Sequence, residues 1–121
     1  MQKTILMIDD SVMVRRVVGQ ILKQSGYKVI AAEDGIMGCD LAKKFKPDLI
    51  LMDIEMPNMN GVEATINIKS DPETANIPII IFTSLGSEED IKRAREAGGQ
   101  GFMNKPICKE ELKTIVTKFI G

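Results

Sequence analysis

Asp48-Leu49-Ile50-Leu51-Met52-Asp53, followed at once by Ile54-Glu55-Met56-Pro57-Asn58-Met59-Asn60-Gly61, is the stretch on which the fold turns. Four consecutive apolar residues run into one carboxylate, and the chain then breaks into Pro, Asn and Gly. A short continuous apolar run bounded by turn residues is the pattern of a strand covered on both faces, as in a parallel sheet. Pro57 and the Asn60-Gly61 pair cannot extend that strand and mark a loop. Asp53 therefore stands where a buried strand surfaces at its carboxyl end, the edge of an open parallel sheet at which ligands and chemistry collect. Aspartate also ends strands and caps turns with no further role. Position alone assigns it nothing, and the other strand ends decide.

On the amino side, Thr4-Ile5-Leu6-Met7-Ile8 is a second apolar run, and it too ends in carboxylates, Asp9 and Asp10. Ser11 is placed as an N-cap. Val14, Val17, Val18, Ile21 and Leu22 then recur at the spacing of one helix face, with Gly26 just past its end. Lys28-Val29-Ile30-Ala31-Ala32 reads as a strand and Asp34-Gly35 as its turn. Gly38, Leu41, Ala42 and Phe45 give a second helix, which Pro47 stops. On the carboxyl side, Val62 and Ile66 give a shorter helical pattern, broken at Ser70-Asp71-Pro72. Ile79-Ile80-Ile81-Phe82 is a fully apolar strand ending at Thr83-Ser84. Ser87 followed by Glu88, Glu89 and Asp90 reads as an N-cap with an acidic first turn, suited to the helix dipole. Ile91, Ala94 and Ala97 carry that helix to Gly98-Gly99. Gly101-Phe102-Met103 is a short last strand before Asn104-Lys105-Pro106, and Leu112, Ile115, Val116, Phe119 and Ile120 stripe the final helix. Five strands alternating with five helices, without repeat or linker, predict one α/β domain over residues 1–121. The expected architecture is a doubly wound parallel sheet with helices on both faces.

Composition narrows the function by exclusion. The 121 residues are 44% hydrophobic and 27% charged, ordinary globular values, and that length buries a real core without disulfides. Sixteen Lys and Arg against seventeen Asp and Glu leave a formal charge of −1, which is no footprint for nucleic acid or an anionic membrane. No apolar run reaches the length of a membrane span, and Met1-Gln2-Lys3-Thr4 enter a strand-like run too short to be expected as a signal peptide. Cys39 and Cys108 form no CxxC pair and are expected as free thiols in a reducing cytoplasm. The chain has no histidine. That excludes Ser-His-Asp and Cys-His nucleophile pairs and the commonest transition-metal ligand. Any metal is expected on oxygen ligands, which points to Mg²⁺.

Right-handed crossovers bring the carboxyl ends of all five strands to one edge. Asp9 and Asp10 end the first strand, Asp53 the third and Thr83 the fourth, and Lys105 follows the fifth. Each has an ordinary account alone, as a cap, a β-former or a solvated charge, but turn and cap chemistry is independent at each site. Three acids, a hydroxyl and a cation at one rim suit phosphoryl transfer. Clustered carboxylates stay ionised together only beside a cation. With Mg²⁺ and Lys105 the cluster is formally neutral until a phosphoryl group arrives. Asp53 is the candidate nucleophile, because carboxylates form aspartyl phosphates. Positioning and charge neutralisation carry such a step, so no histidine base is needed, and any phosphohistidine donor must be another protein.

With these residues in place the chain resembles the receiver domain of bacterial two-component response regulators, chemotaxis regulators among them, over its whole length. Asp9-Asp10-Ser11, Asp53 within Leu51-Met52-Asp53-Ile54-Glu55-Met56-Pro57, Gly61, Thr83-Ser84, Ala97-Gly98 and Lys105-Pro106 carry the resemblance. It implies a flavodoxin-like sheet in the order 2-1-3-4-5. It implies that Asp53 accepts a phosphoryl group from a histidine kinase or histidine phosphotransfer protein, as in a phosphorelay. Asp10 would bind Mg²⁺ directly, Asp9 directly or through water, with Asp53 and the Glu55 backbone carbonyl as further ligands. Lys105 would contact the phosphoryl group, its aim fixed by a cis bond to Pro106. Thr83 and Phe102 would form the switch, the threonine moving toward the phosphate and the ring taking the vacated space. Phe102 stands where many relatives have Tyr, whose hydroxyl can bond at the surface; phenylalanine lacks it, so its buried state would be favoured mainly by packing. A partly exposed core Phe is the competing account of that position.

The resemblance further implies a cytoplasmic signalling protein that catalyses only its own phosphorylation and dephosphorylation. Its output would be altered binding of a downstream protein through the fourth helix, fifth strand and fifth helix, with no direct contact to nucleic acid or membrane. It would act as a monomer or a weak dimer that forms on phosphorylation. Because the chain stops after the fifth helix, a free-standing receiver or a receiver cut from a longer regulator is expected. Met13 and Arg16 could dock a donor helix beside the acid pair or form an ordinary solvated face. Glu55 and Leu85, two residues beyond Asp53 and Thr83, border the path of a hydrolytic water in the family, and Leu85 cannot orient one. Slow loss of the phosphoryl group is the expectation. The alternative function is a small Mg²⁺-dependent phosphohydrolase with an aspartyl-phosphate intermediate and Glu55 as its second acid. Against it, no segment is left over to form a substrate pocket. A flavin-binding domain of the same architecture lacks a phosphate loop rich in Ser, Thr and Gly after the first strand.

Overall fold

The computed structural model describes residues 2–84 and 88–121. Five strands and five helices alternate: β1 Thr4–Ile8, α1 Val12–Gln24, β2 Lys28–Ala32, α2 Gly35–Phe45, β3 Leu49–Met52, α3 Gly61–Ser70, β4 Ile79–Thr83, α4 Glu88–Ala97, β5 Gly101–Asn104 and α5 Lys109–Ile120. The strands form one parallel sheet in the order β2-β1-β3-β4-β5. This is the doubly wound, flavodoxin-like arrangement expected from the alternation.

The strands have a buried face on each side because alternate side chains of a strand point to opposite faces. Leu6, Ile8, Ile50, Met52, Ile79 and Ile81 pack beneath Ala42 of α2, Ala64 and Ile68 of α3, and Ala94 of α4. Ile5, Met7, Leu49, Leu51, Ile80 and Phe82 pack beneath Val18 and Leu22 of α1 and Leu112 and Val116 of α5. The continuous apolar runs are thus the consequence of two cores sharing one sheet.

Helix starts follow local chemistry. Ser11 Oγ accepts from the Val14 N–H, Asp34 Oδ1 accepts from the Met37 N–H, and Asn60 with Glu63 forms a reciprocal capping box. Asp34 is therefore a helix cap rather than only a turn residue. Gly26, with φ +95°, follows the end of α1 in the left-handed region.

Three expected core positions are surface positions instead. Val17, Phe45 and Ile66 are 40%, 49% and 50% exposed. In α3 the buried face is Gly61, Ala64, Thr65 and Ile68. Thr65 can turn inward because its hydroxyl donates to the Gly61 carbonyl at 2.7 Å, and Ile66 is then left facing out. In α2 the small Gly38 lies directly against Ile8, so the helix sits close over the sheet centre while Phe45, in its last turn, faces solvent. The Ser87 N-cap and Leu85 lie outside the described residues.

Candidate functional site

Each site residue is fixed by the strand next to it. The Asp9 N–H donates to the Ala32 carbonyl, the Asp53 N–H to the Ile8 carbonyl and the Lys105 N–H to the Thr83 carbonyl, all at 3.0 Å. The parallel ladder thereby continues one residue beyond β1, β3 and β5. Asp9, Asp53 and Thr83 are buried, Asp10 is exposed, and Lys105 reaches in with its side chain 17% exposed.

The structure brings the acids together. Carboxylate oxygens of Asp9, Asp10 and Asp53 lie within 4.8 Å of one another. Lys105 Nζ is 2.7 Å from Asp9 Oδ2 and 3.4 Å from Asp53 Oδ2. The Ser11 N–H donates to Asp9 Oδ1 at 2.9 Å. Asp9 Oδ2 accepts no aligned hydrogen bond, its contact with Lys105 being an ion pair only, and it is buried. The lysine also passes over the Phe82 ring, with Nζ 5.5 Å from the centroid.

Burial is the largest influence on Asp53, and with the Asp9 charge it pushes the carboxyl pKa up to about 6 against the opposing pull of Lys105. For Lys105, burial pulls the pKa down, but contact with Asp9 and the charges of Asp53 and Asp9 outweigh it and leave it raised. The cluster is therefore short of positive charge by its own chemistry. A hard divalent ion fits the donor set. All three donors are carboxylate oxygens, and one of them is buried without a hydrogen bond. Oxygen ligands on Mg²⁺ stand about 2.9 Å apart when adjacent and about 4.2 Å apart when opposite, so the three acids would draw closer together around such an ion.

Glu55 is exposed and, with Asp10, Met56 and Asn60, lines a shallow cleft beside the acids. Gly61 follows from the return of the loop after β3. Its N–H donates to the Ile54 carbonyl at 2.7 Å, and a Cβ there would fall on the Asp53 carbonyl. The Lys105–Pro106 peptide is cis. Phe102 is half-buried and packs against the core under α4, on the face that carries its register partner Ile81. Across the sheet, Met13, Val14, Val17, Phe82 and Ile107 line an apolar groove of about 190 Å³ that ends at Lys105 and Pro106.

Two residues of the site were not legible in the sequence. Arg15 Nη1 donates to the Asp9 carbonyl at 2.6 Å and braces the loop that carries both amino-terminal acids. Asn58 Nδ2 donates to Asp34 Oδ2 at 3.0 Å, tying the loop after Asp53 to the start of α2. The signal for Asn58 was its place in a Pro-Asn-Met-Asn-Gly turn, where it takes φ +68°. Arg15 carried no signal, since an arginine inside an amphipathic helix reads as solvated surface.

Residues 5–117 match the family described as the response regulator receiver domain. Over 121 residues the chain is 31% identical to the polar-differentiation response regulator DivK of Brucella anthropi, with all of this chain and 98% of that protein covered. Among solved structures, the chemotaxis protein CheY4 of Vibrio cholerae superposes with a TM-score of 0.94 at 28% identity, over 99% of this chain and 100% of that one. The receiver domain of the sensor histidine kinase PA1611 from Pseudomonas aeruginosa has a magnesium ion coordinated in its active-site cleft. It superposes with a TM-score of 0.93 at 30% identity, over 100% of this chain and 99% of that one.

Proposed function

The chain belongs to the response regulator receiver domain family of two-component signalling, and from that premise we propose that it is a switch set by phosphorylation of Asp53. The observation that carries this reading is the buried Asp53 carboxylate held beside Asp9, Asp10 and the Lys105 ammonium at one rim. An Asp53 carboxylate oxygen attacks phosphorus, and the bond from phosphorus to the donor breaks. The electron pair leaves with the donor, a phosphohistidine imidazole of a kinase or phosphotransfer protein. Asp9, Asp10, Asp53 and the Glu55 carbonyl would hold a Mg²⁺ ion, which would supply positive charge to the phosphoryl oxygens. Lys105, which pairs with Asp9 and Asp53 in the unphosphorylated protein, turns its ammonium to a phosphoryl oxygen, a stronger charge-assisted contact. Thr83 approaches a second oxygen with its hydroxyl, and Phe102 moves toward the space it leaves.

The donor protein docks on α1 and the β5–α5 connection. The apolar groove there leads directly to Lys105, and Met13 on its lip is 74% exposed. The output face is α4, β5 and α5, where the ring of Phe102 reports the state of Thr83. Incubation with Mg²⁺ and acetyl phosphate tests the reading. Intact mass should rise by one phosphoryl group, and the gain should vanish in Asp53→Asn and on chelation of the metal. An unchanged gain in Asp53→Asn removes the assignment.

A further inference from the structure

The guanidinium carbon of Arg95, in the last turn of α4, lies 5.0 Å from the centroid of the Phe102 ring. We propose that Arg95 is the positioning residue that holds Phe102 outward and so sets how readily the switch is thrown. This rests on the reading of Thr83 and Phe102 as the switch pair.

The topology makes the two ends of the ring's path distinct. A crossover helix in a parallel sheet runs antiparallel to its strands, so the end of α4 meets the beginning of β5. Arg95 therefore stands toward the amino-terminal end of β5. Thr83 stands at the opposite end, because it pairs in register with Asn104, two residues beyond Phe102. Ile81 is the register partner of Phe102, and side chains two apart share a face, so Phe102, Ile81 and Thr83 lie on one side of the sheet. Movement of the ring toward Thr83 is movement away from Arg95.

The chemistry of the ring makes this contact decisive. A tyrosine at this position has a hydroxyl to anchor it at the surface, and phenylalanine has none. Packing against the core cluster that holds its register partner Ile81 draws the half-buried ring inward. The guanidinium on its face is the one polar attraction among the described residues that draws it outward. At an exposed site such a contact favours the outward ring by about two- to five-fold. Arg95 is exposed, so it is also within reach of a partner protein. An acidic side chain that takes the guanidinium would release the ring, which couples partner binding to phosphorylation in both directions.

The test uses the full chain as wild type, Arg95→Ala and Arg95→Lys. Aromatic ¹³C–¹H spectra of Phe102 are recorded with and without Mg²⁺ and beryllofluoride, and the rate of phosphorylation by acetyl phosphate is measured at saturating Mg²⁺. In Arg95→Ala the metal-free Phe102 signal should shift toward its beryllofluoride position, and phosphorylation should quicken by about two- to five-fold. Arg95→Lys should fall between. In a Phe102→Leu background the Arg95 substitution should have no effect on rate, as a double-mutant cycle requires. If the wild-type ring responds to beryllofluoride but folded Arg95→Ala leaves both ring and rate unchanged, the role of Arg95 is overturned and the switch reading stands. A wild-type ring that ignores beryllofluoride overturns both.

Discussion

At the residue scale, the chemistry of the rim is the chemistry of one carboxylate in two charge states. Asp53 in the native protein holds its proton to about pH 6, whereas an aspartate in the unfolded chain titrates near pH 4. The native state therefore binds more protons in that window, and stability falls as pH rises from about 4 to about 6. The cost of keeping Asp53 ionised persists at neutral pH. Its upper limit is about 3 kcal/mol, and water at the rim brings the expected effect to about 1–2 kcal/mol. Metal-free Asp53→Asn should accordingly be more stable than wild type by about that amount at pH 7.5, and it should lose the part of the fall between about pH 4 and 6 that Asp53 causes. Urea denaturation across that range measures both. Mg²⁺ affinity should weaken by up to about tenfold per pH unit below pH 6 as protons compete for Asp53. A titration that shows equal affinity at pH 5 and pH 7 contradicts the part assigned to this residue. The raised lysine acts at the other end of the scale. Its stabilising contribution is complete below the ordinary lysine pKa and is lost only as pH rises through the higher native value.

At the element scale, the loops hold the site and small contacts hold the loops. Gly61 begins α3 with its Cα pressed to the Asp53 carbonyl. Gly61→Ala should cost about 2–3 kcal/mol and weaken Mg²⁺ binding as well, since the added methyl can be accommodated only by moving the loop that carries Asp53. Calorimetric titration of the folded variant with Mg²⁺ separates the two effects. On the far edge of the sheet, Lys69 closes α3. Its ammonium donates to the Ala75 carbonyl at 3.1 Å, the Ile77 carbonyl at 2.7 Å and Gln100 Oε1 at 2.9 Å. Gly98, with φ +119°, packs on its stem, where a Cβ would meet Lys69 Cγ at 2.7 Å. Lys69→Met keeps the stem and removes this donor from the Ala75 and Ile77 carbonyls, Gln100 Oε1 keeping only the Ile79 N–H, so it should lower stability by about 2 kcal/mol. The midpoint of urea unfolding reads the loss, and acetyl phosphate labelling at Asp53 should be unaffected, because the lysine is remote from the rim. Gly99 is confined in the same way, since a Cβ there would meet Ile81 Cγ1 at 2.9 Å and the Ala94 carbonyl at 3.0 Å.

At the scale of the whole molecule, a metal that binds only the folded chain must raise its melting temperature. With Mg²⁺ at ten times its dissociation constant the gain is about 1.4 kcal/mol, or about 5–6 °C for a domain of this size. Asp10 is exposed, so Asp10→Asn should leave the metal-free melting temperature nearly unchanged and abolish the shift. Scanning calorimetry with and without Mg²⁺ checks it. A full shift in Asp10→Asn would remove that residue from the donor set. Two cores meeting at one sheet also connect the rim to both sides of the molecule. Ile81 and Phe102 lie on one face, and Phe82 beneath Lys105 lies on the other, beside the apolar groove on α1.

The sequence by itself determined the alternation of elements, the parallel sheet and the rim residues, because four-residue apolar runs ending in Asp or Thr have few folds open to them. It also placed the Ser11 cap, whose hydrogen bond spans only three residues, while the caps at Asp34 and Asn60 read as turn and loop residues. Tertiary structure alone decided the exact inward stripe of α1, α2 and α3. Val17, Phe45 and Ile66 are as apolar as their buried neighbours, and only the seating of Gly38 and Thr65 against the sheet turned two of those helices. It alone brought Arg15 to the Asp9 carbonyl, Lys69 to Gln100 and Arg95 to Phe102. Contacts made by long flexible side chains depend on distances between elements, and spacing along the chain does not encode those distances.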